Sequence, residues 1–342
     1  MKRILRKYLV ASFVIAASLA SVVAAGVDND ASAIGDTTVA KWKGGKTAAF
    51  LLMFDDSWPS HFQVAVPALV ERGMTATFYI NPGKGEYKAC SNEWEHNVWK
   101  QGMVYGNHTY AHSSVTNAVQ AESVIAKCND EILRIVPGRV PRLISYGQPG
   151  VDKWNVKPEE MNAILAKHHL ISRPPFSGHG AVYHWQTTEQ MLALADKAIA
   201  SQGIDYLVIH GVERIKPNWS YQDFWALKQT VFFPLLDGLK ERRDQGQLWI
   251  TDHITAHQYE TERNTAKVQI IAKKSNGVRL KLSCEADPAF YDEPLTLMTR
   301  VPQGWTQCML AQGGTNTALK VSGGTVVYDV VPDGRVVTLT GK

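Results

Sequence analysis

Residues Thr47–Phe54 (TAAFLLMF) are apolar but for the first, and two acids, Asp55 and Asp56, follow at once. A strand with one wet face alternates polar and apolar residues. An unbroken apolar run is what a strand covered on both faces requires. This run therefore predicts a sheet buried between layers, with its ends carrying whatever is polar. The continuation agrees. Helical spacing follows from Pro59 to Gly73, with Val64, Leu69 and Val70 inward, and Thr75–Ile80 (TATFYI) reads as a second strand. Further strand-like runs lie at Leu143–Tyr146, Tyr206–His210 and Leu248–Thr251. Helical patterns at Ala118–Val136, Pro158–His168, Thr188–Gln202 and Asp223–Arg243 fill the gaps. Strands alternating with helices predict a parallel α/β sheet, either open or closed into a barrel.

The register changes near Arg263. Beyond Lys267 no helical period is present. Short strands at Lys267–Ala272, Val278–Ser283, Leu295–Val301, Gln307–Ala311, Thr325–Val331 and Arg335–Thr340 are separated by turn pairs such as Asn276-Gly277, Gly313-Gly314 and Gly323-Gly324. That pattern predicts a small antiparallel β sandwich over 263–342. Trp305 and Tyr291 are too few aromatics to mark it as a sugar-binding module, and a structural cap is the expectation. Residues 26–46, short and polar, read as a linker, and 47–262 as the main domain.

Charge is informative only by position. The net charge is +4, and Lys2, Arg3, Arg6 and Lys7 supply four of the 36 basic residues, leaving a remainder that balances the 32 acids. Nothing in that balance points to nucleic acid or an anionic membrane. The early charges precede an apolar run, Tyr8–Ala25, that ends in small residues. That order predicts a signal peptide over 1–25, cut after Ala25 or after Ala33, and a secreted or periplasmic protein without stable membrane insertion after cleavage. An uncut anchor is the alternative, since the run's length does not decide. Export permits disulfides, and Cys90, Cys128, Cys284 and Cys308 allow three full pairings. Proximity in the chain favours Cys90–Cys128 and Cys284–Cys308.

Three features stand at predicted strand ends, where parallel sheets place their chemistry. Adjacent acids at Asp55 and Asp56 are expensive to place after an apolar run unless something pairs with them. His108 and His112, four apart in Gly106-Asn-His-Thr-Tyr-Ala-His112, share one face if the segment is helical and can share one metal. His253 and His257 have the same spacing, yet they run into Gln258-Tyr-Glu-Thr-Glu-Arg263 and read as an ordinary polar helix. The third feature is His210, closing Leu207-Val208-Ile209. Alone it is best read as a core histidine. Arg142 and Tyr146 flank a further apolar pair.

Taken in order, these features resemble the polysaccharide deacetylases of carbohydrate esterase family four. Met53-Phe-Asp-Asp-Ser57 stands where that family has Thr-Phe-Asp-Asp-Gly. His108-Thr-Tyr-Ala-His112 matches its His-Ser/Thr-x-x-His in full, and Leu207 to His210 matches its Leu-x-x-His. Val66-Pro-Ala-Leu69 through Thr75–Ile80 adds to the likeness, which covers roughly 47–260. The resemblance implies a distorted (β/α) barrel and one divalent metal ion, zinc first in expectation, on Asp56, His108 and His112. It implies that Asp55 is the base for the attacking water and His210 the acid for the leaving group. Arg142 would orient Asp55, and the Tyr146 backbone amide would help hold the oxyanion. Trp185 and Leu207 would contact substrate. Two patterns depart. Arg142-Leu-Ile-Ser-Tyr146 has shifted spacing, and the Asp-x-x-Asp-Trp pattern is not found, its region holding Arg173, His179 and Trp185.

The function expected is removal of N- or O-linked acetyl groups from a carbohydrate, by activated water rather than a covalent intermediate, since no Gly-x-Ser-x-Gly elbow is present. The alternative is a carbohydrate-binding protein on a degenerate scaffold, with sugar-stacking surface from Trp58, Trp94, Trp99, Trp154, Trp185, Trp219 and Trp225. Retention of Asp55 beside three ligands favours the enzyme, because a binder has no need of a base.

Overall fold

The computed structural model describes residues 34–214 and 223–342. The expected signal peptide and Trp219 lie outside these. Among the described residues no helix is long and apolar enough to cross a membrane.

Seven parallel strands form the first sheet: β2 (Ala48–Asp55), β3 (Thr77–Ile80), β4 (Val104–Asn107), β5 (Ile144–Tyr146), β6 (Leu170–Ser172), β7 (Ile204–Ile209) and β8 (Leu248–Thr251), with β1 (Thr37–Val39) belonging elsewhere. The order is β6-β5-β4-β3-β2-β7. All eight residues of β2 are buried, as its apolar run requires. One edge of β2 pairs with β7. The other pairs with β8 up to Leu51 and with β3 from Met53, so two strands share it.

Period-two alternation sorts the side chains of β2. Ala48, Phe50, Leu52 and Phe54 pack into the outer core against the helices. Leu51 and Met53 face inward with Tyr79, Tyr206 and Val208. Asp55 continues that inward row. The outer layer is built by α1 (Ala118–Ile135), α2 (Pro158–Lys167), α3 (Thr188–Ser201) and α4 (Gln229–Asp244). α1 opens on Asn117, whose side chain accepts from Gln120 N, and α3 on a Thr187–Gln190 capping box. A last helix, α5 (His253–Thr265), lies on the concave side and places Ala256 in the inner cluster. The gap between the edge strands β6 and β7 is crossed by residues 173–181. Arg173 N donates to Tyr146 O, and Ala181 N donates to Val208 O on the far side. The sheet is a half-barrel completed by a crossing segment.

The predicted helix over 223–243 starts later, at Gln229. The residues ahead of it form a turn at Phe224–Trp225 and a single bridge at Leu227: Leu227 N donates to Gly211 O, and Gly211 N to Phe224 O. Pairing with the chain that leaves β7 outweighs helical propensity there, and this pairing presents Phe224 and Trp225 beside the strand end.

The all-β unit follows α5. Its strands are β9 (Lys267–Lys274), β10 (Gly277–Ser283), β11 (Leu295–Arg300), β12 (Gln307–Gln312), β13 (Thr315–Ser322), β14 (Thr325–Val330) and β15 (Asp333–Gly341). With β1 they make one antiparallel path, β1-β11-β14-β13-β12-β15-β10-β9, curled around a single core that includes Leu280, Leu297, Tyr328 and Leu339. Bulges in β10 bend the path, and its edge strands β1 and β9 approach each other. The layers of the expected sandwich are parts of one barrel-like sheet. β13, polar and exposed along most of its length, carries no apolar alternation from which a strand is predicted. Residues read as linker supply β1, and the buried Trp42 donates from Nε1 to Gln202 O at 3.0 Å, tying this stretch to the end of α3. The four cysteines are free thiols. Cys128 is buried on α1 with its Sγ 3.3 Å from Ile80 O, and neither expected pairing forms.

Candidate active site and metal centre

Asp55 ends β2 facing inward, where Arg173 grips it. Nη1 donates to Oδ1 at 2.6 Å and Nη2 to Oδ2 at 2.7 Å, a bidentate pair. Both side chains are buried. Burial alone would raise the Asp55 carboxyl. The Arg173 guanidinium, together with His108 and His210, more than reverses this and holds it well below the usual carboxylate range. Arg173 lies over the Tyr79 ring at 4.4 Å. Tyr79 Oη and Ser145 Oγ are 2.7 Å apart, and Ser145 Oγ is 2.7 Å from His253 Nδ1. A supporting chain thus runs from α5 to Asp55. Gly147 makes room for it: a Cβ there would lie 2.7 Å from Arg173 Nε.

Asp56 turns away from the strand. It and Ser57 take left-handed backbone, φ 80° and 56°, which swings its carboxylate toward the β4 end. There His108 and His112 sit on a loop, not a helix. Asn107 Oδ1 accepts from Thr109 N, Asn81 Nδ2 donates to Thr109 O, and Thr109 Oγ1 accepts from His112 N. Those bonds hold Thr109 and His112 at φ 65° and 50°. His108 Nδ1 donates to Gly147 O at 2.6 Å, which leaves Nε2 with a lone pair. That Nε2 is 3.6 Å from Asp56 Oδ1, and His112 Nε2 is 3.3 Å from the same oxygen. The ligand atoms of all three residues lie within 4.8 Å of one another. Asp56 Oδ1 is buried and makes no hydrogen bond among the described residues. One carboxylate oxygen and two imidazole nitrogens with a common focus, and a buried oxygen left unsatisfied, fit a divalent cation. Lys84 Nζ, held over the Trp58 ring at 4.9 Å, reaches within 3.7 Å of that oxygen.

His210 stands on the opposite wall, Nε2 4.0 Å from Asp56 Oδ2. Burial pushes its pKa down, while Asp55 and Asp56 pull the other way. The cleft these groups line has a volume of about 430 Å³, with Gln148, Pro149 and Gly150 on one side and Phe176, Phe224 and Trp225 on another.

The structure brings together Asp55, Asp56, His108, His112 and His210. Four other expected residues lie elsewhere. Arg142 precedes β5, at the strand's N-terminal end, and its guanidinium donates to Val136 O and Pro137 O. Arg173 takes the place foreseen for it. The signal was available, since Arg173 follows the strand-like Leu170-Ile171-Ser172, but three residues are a short strand. Tyr146 lies within the ladder of β5, paired with Asn107 and Ser172, and its side chain joins the outer core, while Gln148–Gly150 front the cleft instead. Leu207 faces the outer core, because alternation puts Val208 on the inner face. Trp185 packs against that same outer core and donates from Nε1 to Gly178 O. The second histidine pair stays apart: His257 Nε2 is 3.2 Å from Tyr291 Oη. Ser145 beside His253 is no nucleophile, being fully buried below the cleft.

Residues 43–154 match the profile of the family described as polysaccharide deacetylase. A gellan lyase from Bacillus sp. is 20% identical over 302 residues, which is 82% of this chain, and the chain spans 12% of that protein's length. Among solved structures, a family 4 carbohydrate esterase from Streptomyces lividans, in complex with acetate, aligns at 19% identity. It covers 61% of this chain and 94% of its own, with a TM-score of 0.40. The peptidoglycan deacetylase PdaC from Bacillus subtilis aligns at 17% over 61% and 90%, TM-score 0.39. A pseudoenzyme of the same esterase family from Bacillus anthracis aligns at 13% over 60% of this chain and 64% of its own, TM-score 0.41.

Proposed function

We propose that the chain is an exported, metal-dependent hydrolase that removes acetyl groups, N- or O-linked, from a carbohydrate polymer or oligosaccharide. One observation carries the reading. A three-ligand focus with an unsatisfied buried oxygen sits beside a separate, guanidinium-held carboxylate at the floor of a cleft. A binding protein has no use for that second carboxylate. The basic-then-apolar order of the N-terminal residues supports export.

Asp56, His108 and His112 would hold one divalent ion, zinc first. When bound, it supplies Lewis-acid polarisation of the acetyl carbonyl and lowers the pKa of water. The chain's own groups do the rest. Arg173 keeps Asp55 ionised and fixes both its oxygens, so that it takes the proton of the attacking water along one direction. His210 faces the site from the other wall and hands a proton to the departing nitrogen or oxygen. Burial lowers the pKa of its ring, and the Asp55 and Asp56 carboxylates offset part of that by favouring the charged form.

The test is acetate release from acetylated chito-oligosaccharides, peptidoglycan and acetylxylan, with and without chelator. Release that chelator stops and divalent metal restores is the expected result. Release indifferent to chelator, or unaffected by Asp55→Asn, overturns the mechanism. No release from any acetylated glycan overturns the activity.

A further inference from the structure

Asp56 Oδ1 has a counterpart far along the chain. Among the described residues a second buried carboxylate oxygen makes no hydrogen bond, Glu262 Oε1. Glu262 is fully buried in the last turn of α5. Its other oxygen, Oε2, accepts from Glu293 N at 3.1 Å. Lys43, which acts on Glu262 electrostatically, pairs with Glu293 instead. Burial pushes the Glu262 carboxyl up to about 7, and the Glu293 and Asp292 carboxylates add to that.

Glu262 lines a cavity of about 370 Å³ between α5, the loop over 284–294 and the chain joining β14 to β15. The volume is that of a small-molecule site. Pro288, Val331 and Pro332 make its walls partly apolar, and Tyr291 adds a ring. Asp292 and Asp333 also line it, and among the described residues no Lys, Arg or His does. The loop is fastened in place. Glu285 N donates to Thr265 Oγ1, Arg139 Nη1 to Pro288 O and Gln258 Nε2 to Phe290 O.

The three acids are not equally free. Asp333 accepts from Arg335, and Asp292 lies 3.8 Å from Arg139 Nη2. Glu262 Oε1 is left without a donor. Burial of such an oxygen is costly until a donor reaches it. A metal ion does not fit here, because among the described residues only Asp56, His108 and His112 bring three ligand atoms to one focus. A neutral hydroxyl would supply a hydrogen bond and leave the charge uncancelled. A primary ammonium cancels the charge and brings three donors.

We propose that this cavity is a second ligand site, taking the primary ammonium of an amino sugar that has lost its acetyl group, with Glu262 as the counter-ion. N-deacetylation exposes such an ammonium on a sugar ring, and the acetylated amide has none. The C–H face of that ring suits the apolar walls. The site rests on the deacetylase reading and deepens it. It makes the acetyl group N-linked and gives the all-β unit a hold on the product.

Calorimetry on the full chain in chelator measures binding of glucosamine and its short oligomers, of the same oligomers N-acetylated, of cello-oligosaccharides, which lack nitrogen, and of methylamine. Wild type is compared with two variants. Glu262→Gln keeps an oxygen for Glu293 N and removes the charge. Ala286→Phe fills the cavity and leaves Glu262 in place. Glucosamine oligomers are expected to bind at least about tenfold more tightly than either neutral set, and each substitution should remove that preference. Acetate release from N-acetylated oligosaccharides should be unchanged in both. Equal binding of amino and neutral oligomers, or a preference that survives Glu262→Gln, overturns the site. Methylamine binding as tightly as glucosamine overturns the amino sugar as its ligand. Ammonium-selective binding that needs Glu262, without acetate release, keeps the site and removes the deacetylase. Acetate release without ammonium-selective binding keeps the deacetylase and overturns the site.

Discussion

His108/His112 and His253/His257 have identical spacing and opposite fates. The second pair lies on a regular helix, α5, where side chains four apart share a face. Yet its members bond to different partners, Ser145 and Tyr291, and among the described residues no acid completes a ligand set with them. The first pair lies on an irregular loop and converges on one oxygen of Asp56. Spacing alone therefore carries little. What makes a ligand pair is a carboxylate at the end of the neighbouring strand and a loop pinned tightly enough to hold Thr109 and His112 in left-handed backbone. The second pair still bears on the first. His253 buttresses Ser145, Tyr79 and Arg173, and so Asp55.

The contrast is broken or upheld by experiment. His112→Ala should abolish metal binding and reduce acetate release on the order of a thousandfold, while His257→Ala changes either less than about twofold. Equal effects would erase the distinction. Next in size, Arg173→Gln should cost on the order of a hundredfold in activity with metal affinity retained, and Arg142→Gln should cost almost nothing; acetate assays with metal titration decide.

His253→Ala should leave metal affinity intact and lower stability by about 2–3 kcal/mol at neutral pH, read by urea denaturation. Burial depresses the His253 pKa to about 3, so it stays neutral in the fold while the unfolded chain takes up a proton near its ordinary value of 6.5. The wild type therefore loses stability as pH falls below 6.5 toward 3, and the cost of the substitution should shrink over that window. A constant cost would show that His253 is not held neutral. Smallest, Lys84→Met should tighten metal binding roughly tenfold, because it removes a cation beside Asp56 Oδ1. A competition titration against a chelating dye measures this, and weaker binding would mean that Lys84 supports the site.

Much of this was legible before any coordinates. The apolar run before Asp55 required a strand covered on both faces, and the acids at its end required partners; both hold in β2. The misplacements have separate physical causes. Arg142, which the resemblance sets beside Asp55, stands ahead of β5, and parallel strands carry their chemistry at the other end. Arg173 stands behind β6, which at three residues leaves almost no periodic signal. Leu207 failed by one step of alternation. The Tyr146 amide lies within the β5 ladder, and Trp185 packs against the outer core with its Nε1 on Gly178 O. The helical pattern of α4 continues back through Phe224 and Trp225, but their neighbours bond to Gly211 and the two residues form a turn instead.

Local chemistry, then, determined the layers, the acids, the histidine loop and the change to an all-β unit near residue 263, because periodicity and strand ends are properties of short stretches. Tertiary structure alone decided which arginine holds Asp55, which histidine pair shares an oxygen, and that the presumed linker closes the distant sheet. Each depends on residues far apart in the chain meeting across a curved sheet, from Asp56 and His108 to β1 and β11, and no short window of sequence contains that distance.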